Sequence, residues 1–220
     1  MTPYLVGVAG GSGSGKTTFC RMLFDAAPSG AVVVIEHDYY YRCLAHIPLE
    51  DRLIANFDHP DSLDSELLIA QLETLKAGRA VDAPQYDYAS SSRLARTKRI
   101  EPHPVVLVDG ILVLADKRLR ELFDLRVFVD APDDLRYQRR LRRDVAHRQF
   151  TAEQVYAQYH ATVKPMHDQF VAPSREASDV IVHGGVHFGP AIEMFTSLVR
   201  EKVQAARDHD CVVAAEFAHP

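Results

Sequence analysis

Gly10-Gly11-Ser12-Gly13-Ser14-Gly15-Lys16-Thr17-Thr18 stands directly after the apolar run from Tyr4 to Ala9 and directly before a stretch with helical apolar periodicity. That order predicts a strand, a glycine loop and a helix. Gly10, four residues, then Gly15-Lys16-Thr17 is the spacing of a phosphate-binding loop, in which small residues let successive backbone N–H groups turn inward towards an anion. The helix beginning near Lys16 adds the positive end of its dipole. In such a loop Gly10, Gly11, Ser12, Gly13, Ser14, Gly15, Lys16, Thr17 and Thr18 cradle the phosphates of a nucleotide. Lys16 reaches the outer phosphates, and the Thr17 hydroxyl is placed to ligate magnesium.

Outward from the loop, the chain alternates buried-type strands with amphipathic helices. Leu5 to Ala9 is continuously apolar, as expected where helices cover both faces of a sheet. A helix from Lys16 to Ala26 stops before Pro28. Valine-rich Ala31 to Glu36 ends at His37-Asp38-Tyr39-Tyr40-Tyr41, so that polar side chains there point into a ligand crevice. Pro48 to Asn56 reads as a short helix. Asp64 to Lys76 reads as a longer one, with Leu67, Leu68, Leu72 and Leu75 on one stripe and Gly78 closing it. Ala80 to Tyr88 and Arg96 to Glu101 flank polar Ala89-Ser90-Ser91-Ser92-Arg93 and predict an antiparallel hairpin. Val105 to Asp109 and Leu125 to Asp130 are further buried strands, each ending in an acid. Pro132 opens a helix carrying Arg136, Arg139, Arg140, Arg142 and Arg143. Thr151 with Gln154 forms a capping box for a helix reaching about Phe170 despite Pro165. Val180 to Val182 is a short last strand and Pro190 to Arg207 a last helix.

This alternation predicts an α/β fold, a parallel sheet of about five strands with helices on both faces, of the P-loop NTPase type. One kinase-sized domain would span residues 1–208. Within it lie a β-hairpin subdomain at about 79–101 and an arginine-rich helical lid at about 132–150, and a tail follows at 209–220.

At 220 residues and 24.6 kDa the chain suits one domain with a sizeable core. Its 25 basic and 30 acidic side chains give a formal charge of -5, which argues against nucleic acid or an anionic membrane as the main partner. No apolar segment approaches the roughly 18 to 20 residues of a membrane span, and no basic region precedes a signal core, so a cytoplasmic location is expected. Cys20, Cys43 and Cys211 are odd in number and widely spread, reading as free thiols. His183 and His187 have suggestive metal spacing, but the glycines between them favour a loop.

A phosphate loop alone separates neither kinase from switch nor motor. In phosphoryl transfer to an alcohol, a carboxylate accepts the hydroxyl proton while magnesium and cationic side chains hold the phosphates. Asp38 is the candidate base, with a helix-cap or turn acid as its other reading. Asp109, at a strand end, is placed to hold magnesium directly or through water. The arginine run is either a solvated helix face or a lid. Arg136, Arg140 and Arg143 share one face at spacings of four and three, which suits a lid closing over phosphates.

At this point the chain resembles the uridine (uridine-cytidine) kinases of the phosphoribulokinase/uridine kinase family of P-loop kinases. The segments that carry the likeness are Gly10 to Thr18, Glu36-His37-Asp38-Tyr39-Tyr40, Asn56-Phe57-Asp58-His59-Pro60, Gln85-Tyr86-Asp87-Tyr88, Asp109-Gly110-Ile111-Leu112, Phe128-Val129-Asp130, Arg139-Arg140-Leu141-Arg142-Arg143-Asp144, and Gln158-Tyr159 through Lys164-Pro165. The resemblance implies ATP (or GTP) as phosphate donor with Mg2+, and a pyrimidine nucleoside acceptor. Asp38 would activate its 5'-hydroxyl, Asp58 would bind the ribose 2'- and 3'-hydroxyls, Tyr86 would stack on the base, and Tyr41 would line the same pocket. Arg140 and Gln158 match further substrate positions. Arg143 and Arg148, with Lys16, match groups that neutralise the transferring phosphate. A homotetramer and feedback inhibition by pyrimidine triphosphates are implied by resemblance alone.

The departures cluster around the acceptor. Ser91 stands where familiar members carry a histidine that reads the pyrimidine edge. Gln149-Phe150 replaces a Gly-Arg pair, His183-Gly184-Gly185 shortens a Pro-Arg-Gly-Gly, Val186 replaces an acid, and Asp109 replaces a Glu. The expectation is therefore direct, in-line transfer to uridine or cytidine. The alternatives are the same chemistry on another ribonucleoside or small alcohol, or a nucleotide-binding regulatory module without kinase activity.

Overall fold

The computed structural model describes residues 1–88, 90–148, 150–184 and 187–216. Ala89, Gln149, Gly185, Val186 and the last four residues of the expected tail lie outside them.

Five parallel strands form the main sheet: β1 (Tyr4–Ala9), β2 (Val32–Glu36), β5 (Val105–Asp109), β6 (Leu125–Asp130) and β7 (Val180–His183), in the order β2-β5-β1-β6-β7. Two more, β3 (Val81–Asp87) and β4 (Ser92–Ile100), pair antiparallel in a sheet of their own. The main strands end level with one another, Val8 and Glu36 both standing in register with Asp109. Period-two alternation divides the core into two layers. Leu5, Ala9, Ile35, Val106, Val108 and Phe128 pack with Leu68, Leu72 and Leu75 of α3 (Ser65–Lys76) and with Leu119 of α4 (Lys117–Leu122). On the opposite face Val6, Val8, Val105, Leu107, Val127 and Val129 meet Phe19 and Leu23 of α1 (Lys16–Ala26) and Phe195 and Val199 of α9 (Gly189–Glu216). Helices thus cover both faces, and strands buried on both sides read as unbroken apolar runs.

Several boundaries differ from the sequence expectation. The early helix α2 shrinks to Leu49–Leu53. Strand β4 begins at Ser92 rather than Arg96, because the ladder pairs Tyr86 with Arg93 and Asp87 with Ser92. The last helix continues past Arg207 to Glu216. After α5 (Asp133–His147), the Thr151 capping box opens α6 (Ala152–Gln158) as expected, with both reciprocal bonds formed. Pro165 does not sit in a regular helix, however. The track proceeds through a π-helical turn at Tyr159–Val163, α7 (Lys164–Met166), a second π turn at His167–Val171 and α8 (Ala172–Ser174). Wide turns next to Pro165 and Pro173 accommodate rings that cannot donate to the helical ladder.

Candidate active site

The carboxyl ends of β2, β5 and β1 open into a cleft of about 530 Å³, walled by the glycine loop, the hairpin and α5. This is where an open parallel sheet places its ligands. Gly10, Gly13 and Gly15 have φ values of 143, 80 and 104°, a region that disfavours side chains. A Cβ on Gly10 would run into the Val129 carbonyl oxygen, and one on Gly13 into that of Arg136. The loop is therefore shaped by backbone contacts beneath it. Ser12, Gly13, Gly15, Lys16, Thr17 and Thr18 line the cleft, whereas Gly10, Gly11 and fully buried Ser14 form its underside.

At the loop's exit, Lys16 Nζ donates to the Gly11 carbonyl oxygen at 3.1 Å, and Thr17 Oγ1 donates to Asp109 Oδ2 at 2.6 Å. Burial lowers the Lys16 ammonium, with Asp109 and Asp38 opposing that shift. Burial raises Asp109, opposed by Lys16 and by the Thr17 bond. A hydroxyl and a carboxylate oxygen side by side are the donor chemistry that a hard cation such as magnesium takes. A glycine cradle with an ammonium at its rim equally suits a polyphosphate.

Asp38 stands in a 3-10 turn (His37–Tyr40) just past β2 and lines the same cleft. Its Oδ2 accepts from the Tyr88 hydroxyl at 3.4 Å. Across from it Asp58 is 8% exposed. Its placement comes from a self-bonded turn: Asn56 Oδ1 accepts from the Asp58 N–H, His59 Nδ1 from that of Asp61, and Ser62 Oγ donates to the carbonyls of Phe57 and His59. Burial raises Asp58, and Arg140 is the largest opposing influence. Aromatic rings wall the end of the cleft away from the loop. Tyr41 packs edge-on to Phe57 at 5.0 Å and lies 5.4 Å from Tyr86, which in turn meets Tyr88 at 5.4 Å. Ser91, in the hairpin turn with φ 46°, lies beside them.

The opposite wall is cationic. Arg139, Arg140, Arg143 and Arg148 line it, together with Gln158. Arg140 Nη1 donates to Ser12 Oγ at 2.9 Å and its Nη2 to Gln158 Oε1 at 2.8 Å, so α5 and α6 are tied to the glycine loop. Arg148 lies over the Tyr88 ring at 4.6 Å.

The structure thus brings Lys16, Thr17, Asp38, Tyr41, Asp58, Tyr86, Ser91, Asp109, Arg140, Arg143, Arg148 and Gln158 into one cleft. Arg136 departs from the expected lid face. It is 3% exposed, bonds Asp133 and the Ala131 carbonyl, and packs beneath Gly11 and Gly13. Arg139 lines the cleft in its place, its Nη1 donating to the Gly184 carbonyl at 2.5 Å. Sequence reasoning also passed over Glu36, Phe57 and Tyr88 as site residues, although all three belong to the motifs that carry the resemblance.

Residues 5–187 match the phosphoribulokinase/uridine kinase family. A uridine kinase of Chloroflexus aggregans is 48% identical over 93% of this chain and 98% of its own. A uridine kinase of Streptococcus gordonii is 42% identical over 94% and 98%. Among solved structures, a possible uridine kinase from Bacillus stearothermophilus superposes with a TM-score of 0.58 over 82% of this chain and 89% of that one; at 18% identity it speaks for the fold alone.

Proposed function

The chain belongs to the phosphoribulokinase/uridine kinase family, and from that premise we propose that it is a nucleoside kinase that transfers the terminal phosphoryl group of ATP, with Mg2+, to the 5'-hydroxyl of uridine or cytidine. The observation that carries the reading is the opposition, within one cleft, of two carboxylates on the acceptor side and a phosphate loop with arginines on the donor side.

Asp38 accepts the 5'-hydroxyl proton as the alkoxide oxygen forms its bond to phosphorus and the bond to the leaving phosphate oxygen breaks. Lys16, Arg143 and Arg148 balance the charge on the transferring group. Thr17, with Asp109 directly or through water, would hold magnesium, which would supply charge neutralisation at the phosphates. Asp58 accepts hydrogen bonds from the ribose 2'- and 3'-hydroxyls, so a 2'-deoxy substrate leaves a buried carboxylate half-paired. Tyr41 and Tyr86 offer faces to the base.

The test is acceptor-dependent ADP release with MgATP over uridine, cytidine, purine ribonucleosides, their 2'-deoxy forms and ribose-like alcohols, run beside Asp38→Asn. Uridine or cytidine standing out, with turnover lost in the variant and ATP binding kept, supports the assignment. A preference for a different acceptor keeps the mechanism and moves the substrate, a second reading favoured by Ser91 and Phe150, both of which line the cleft. Wild-type turnover in Asp38→Asn would overturn the role of the base.

A further inference from the structure

We infer that Asp144 is the positioning residue of the donor side: one buried carboxylate at the centre of three site arginines, which holds Arg143 by its Nε atom, pairs in charge with Arg140 and Arg148, and leaves the outer nitrogens of Arg143 and Arg148 for phosphate oxygens. The inference rests on the kinase reading above.

Asp144 is 1% exposed. Arg143 Nε donates to its Oδ1 at 2.8 Å, Arg140 Nε lies 3.3 Å from its Oδ2, and Arg148 Nε lies 3.6 Å from Oδ1. The sequence explains the convergence. Arg140 precedes Asp144 by one helical turn and Arg148 follows it by one turn, at the end of α5, so the three share a face; Arg143 reaches round from the neighbouring position. A guanidinium carries one Nε and a fork of two Nη nitrogens in one plane, so anchoring the Nε fixes where the fork points. For Arg140 the fork engages Ser12 Oγ and Gln158 Oε1. Arg143 and Arg148 line the cleft, and among the described residues neither terminal fork has a hydrogen-bond partner.

Three cations on one wall repel each other in the absence of a polyanion. A single buried negative charge at their centre holds them together without reaching into the cleft. Side chains immobilised before the ligand arrives need not be ordered when it binds, and charge meant for the transferring phosphoryl group is already in place.

The experiment compares wild type, Asp144→Asn, Asp144→Glu, Arg143→Gln and the double variant Asp144→Asn/Arg143→Gln. It measures steady-state kinetics, thermal melting, and calorimetric binding of inorganic tripolyphosphate. A one-ångström misplacement of a catalytic group costs about 10^2 in rate. Asp144→Asn should therefore lower kcat by about 10- to 100-fold and weaken tripolyphosphate by about 10-fold, with nucleoside KM held within about threefold. Because Asp144 acts through Arg143, the double variant should lose much less than the product of the two single losses. Asp144→Glu should recover part of the tripolyphosphate affinity. Wild-type kcat in a folded Asp144→Asn, or fully multiplicative losses in the double variant, overturns the inference. Should the Asn variant fail to fold, Asp144→Glu decides: a reduced kcat at unchanged nucleoside KM supports the role, and unaltered kinetics overturn it. If the wild type lacks turnover on every acceptor, the kinase reading fails, while tripolyphosphate binding still reports on the arginines.

Discussion

Thr17 Oγ1 donates to Asp109 Oδ2 across 2.6 Å, tying the first turn of α1 to the end of β5. One hydroxyl and one buried carboxylate therefore face the space where magnesium is proposed to sit. Asp109→Asn keeps the shape and removes the charge. It should raise the magnesium concentration for half-maximal rate by about 10- to 100-fold, within the range lost when metal-site partners are altered. A magnesium titration of turnover at saturating nucleotide checks this, and an unshifted titration curve removes Asp109 from the metal site.

Gly184 follows β7 and its backbone presses on the phosphate loop: a Cβ there would run into the Ser14 carbonyl oxygen. Gly184→Ala should displace the loop and weaken ADP by about tenfold, equivalent to about 1.4 kcal/mol. Gly30→Ala is the control, because a Cβ there meets nothing within 4 Å and costs only the strain of φ 74°. Calorimetry of both variants with MgADP separates the two cases. Equal affinities would mean that the loop yields without cost.

His37 is wholly buried beside Gly110, and both its ring nitrogens lack a partner among the described residues. Burial depresses it to about 4. Between pH 6.5 and 4 the unfolded chain holds a proton that the folded chain refuses, so stability falls as the pH drops through that window. The contribution to the slope approaches about 1.4 kcal/mol per pH unit. His37→Gln has no proton to take up, and urea unfolding at several pH values should show a shallower acid loss by that amount. Parallel curves for the two proteins would count against it.

Asp58 is held above its ordinary value by burial. The folded chain therefore binds this proton more tightly than the unfolded chain, and stability is lost as the pH rises from about 4 through the raised value. Asp58→Asn removes the charge that burial disfavours and should therefore raise Tm at pH 7. The gain should vanish near pH 4, while nucleoside KM rises steeply. A Tm at pH 7 no higher than that of the wild type would show that Arg140 repays the burial in full.

The sheet could be read from the sequence to within a residue or so, because β1 and β5 are buried on both faces and read as near-continuous apolar runs. The loop and the strand-end acids followed from it. Arg136 was read on the cleft side because helical spacing says which side chains share a face and not what that face meets; the structure turns it beneath Gly11. The contact of Tyr88 with Arg148 joins positions sixty residues apart, and no local pattern announces it. The π turns beside Pro165 and Pro173 were likewise hidden, since a proline announces a missing donor but not the way the chain accommodates it.

The hairpin of β3 and β4 shares no ladder with the five-stranded sheet, yet it brings Tyr86, Tyr88 and Ser91 to the cleft, while the glycine loop and Asp109 stand on the main sheet. If the proposed function holds, base recognition at the hairpin and phosphate handling on the main sheet would be housed in separate modules. The hairpin would then be an exchangeable cassette, whose tip around Ser91 could be rewritten while the machinery beneath it stays as it is. Grafting a different tip between Val81 and Ile100, which pair at its base, should redirect the chemistry to a new alcohol without rebuilding the engine.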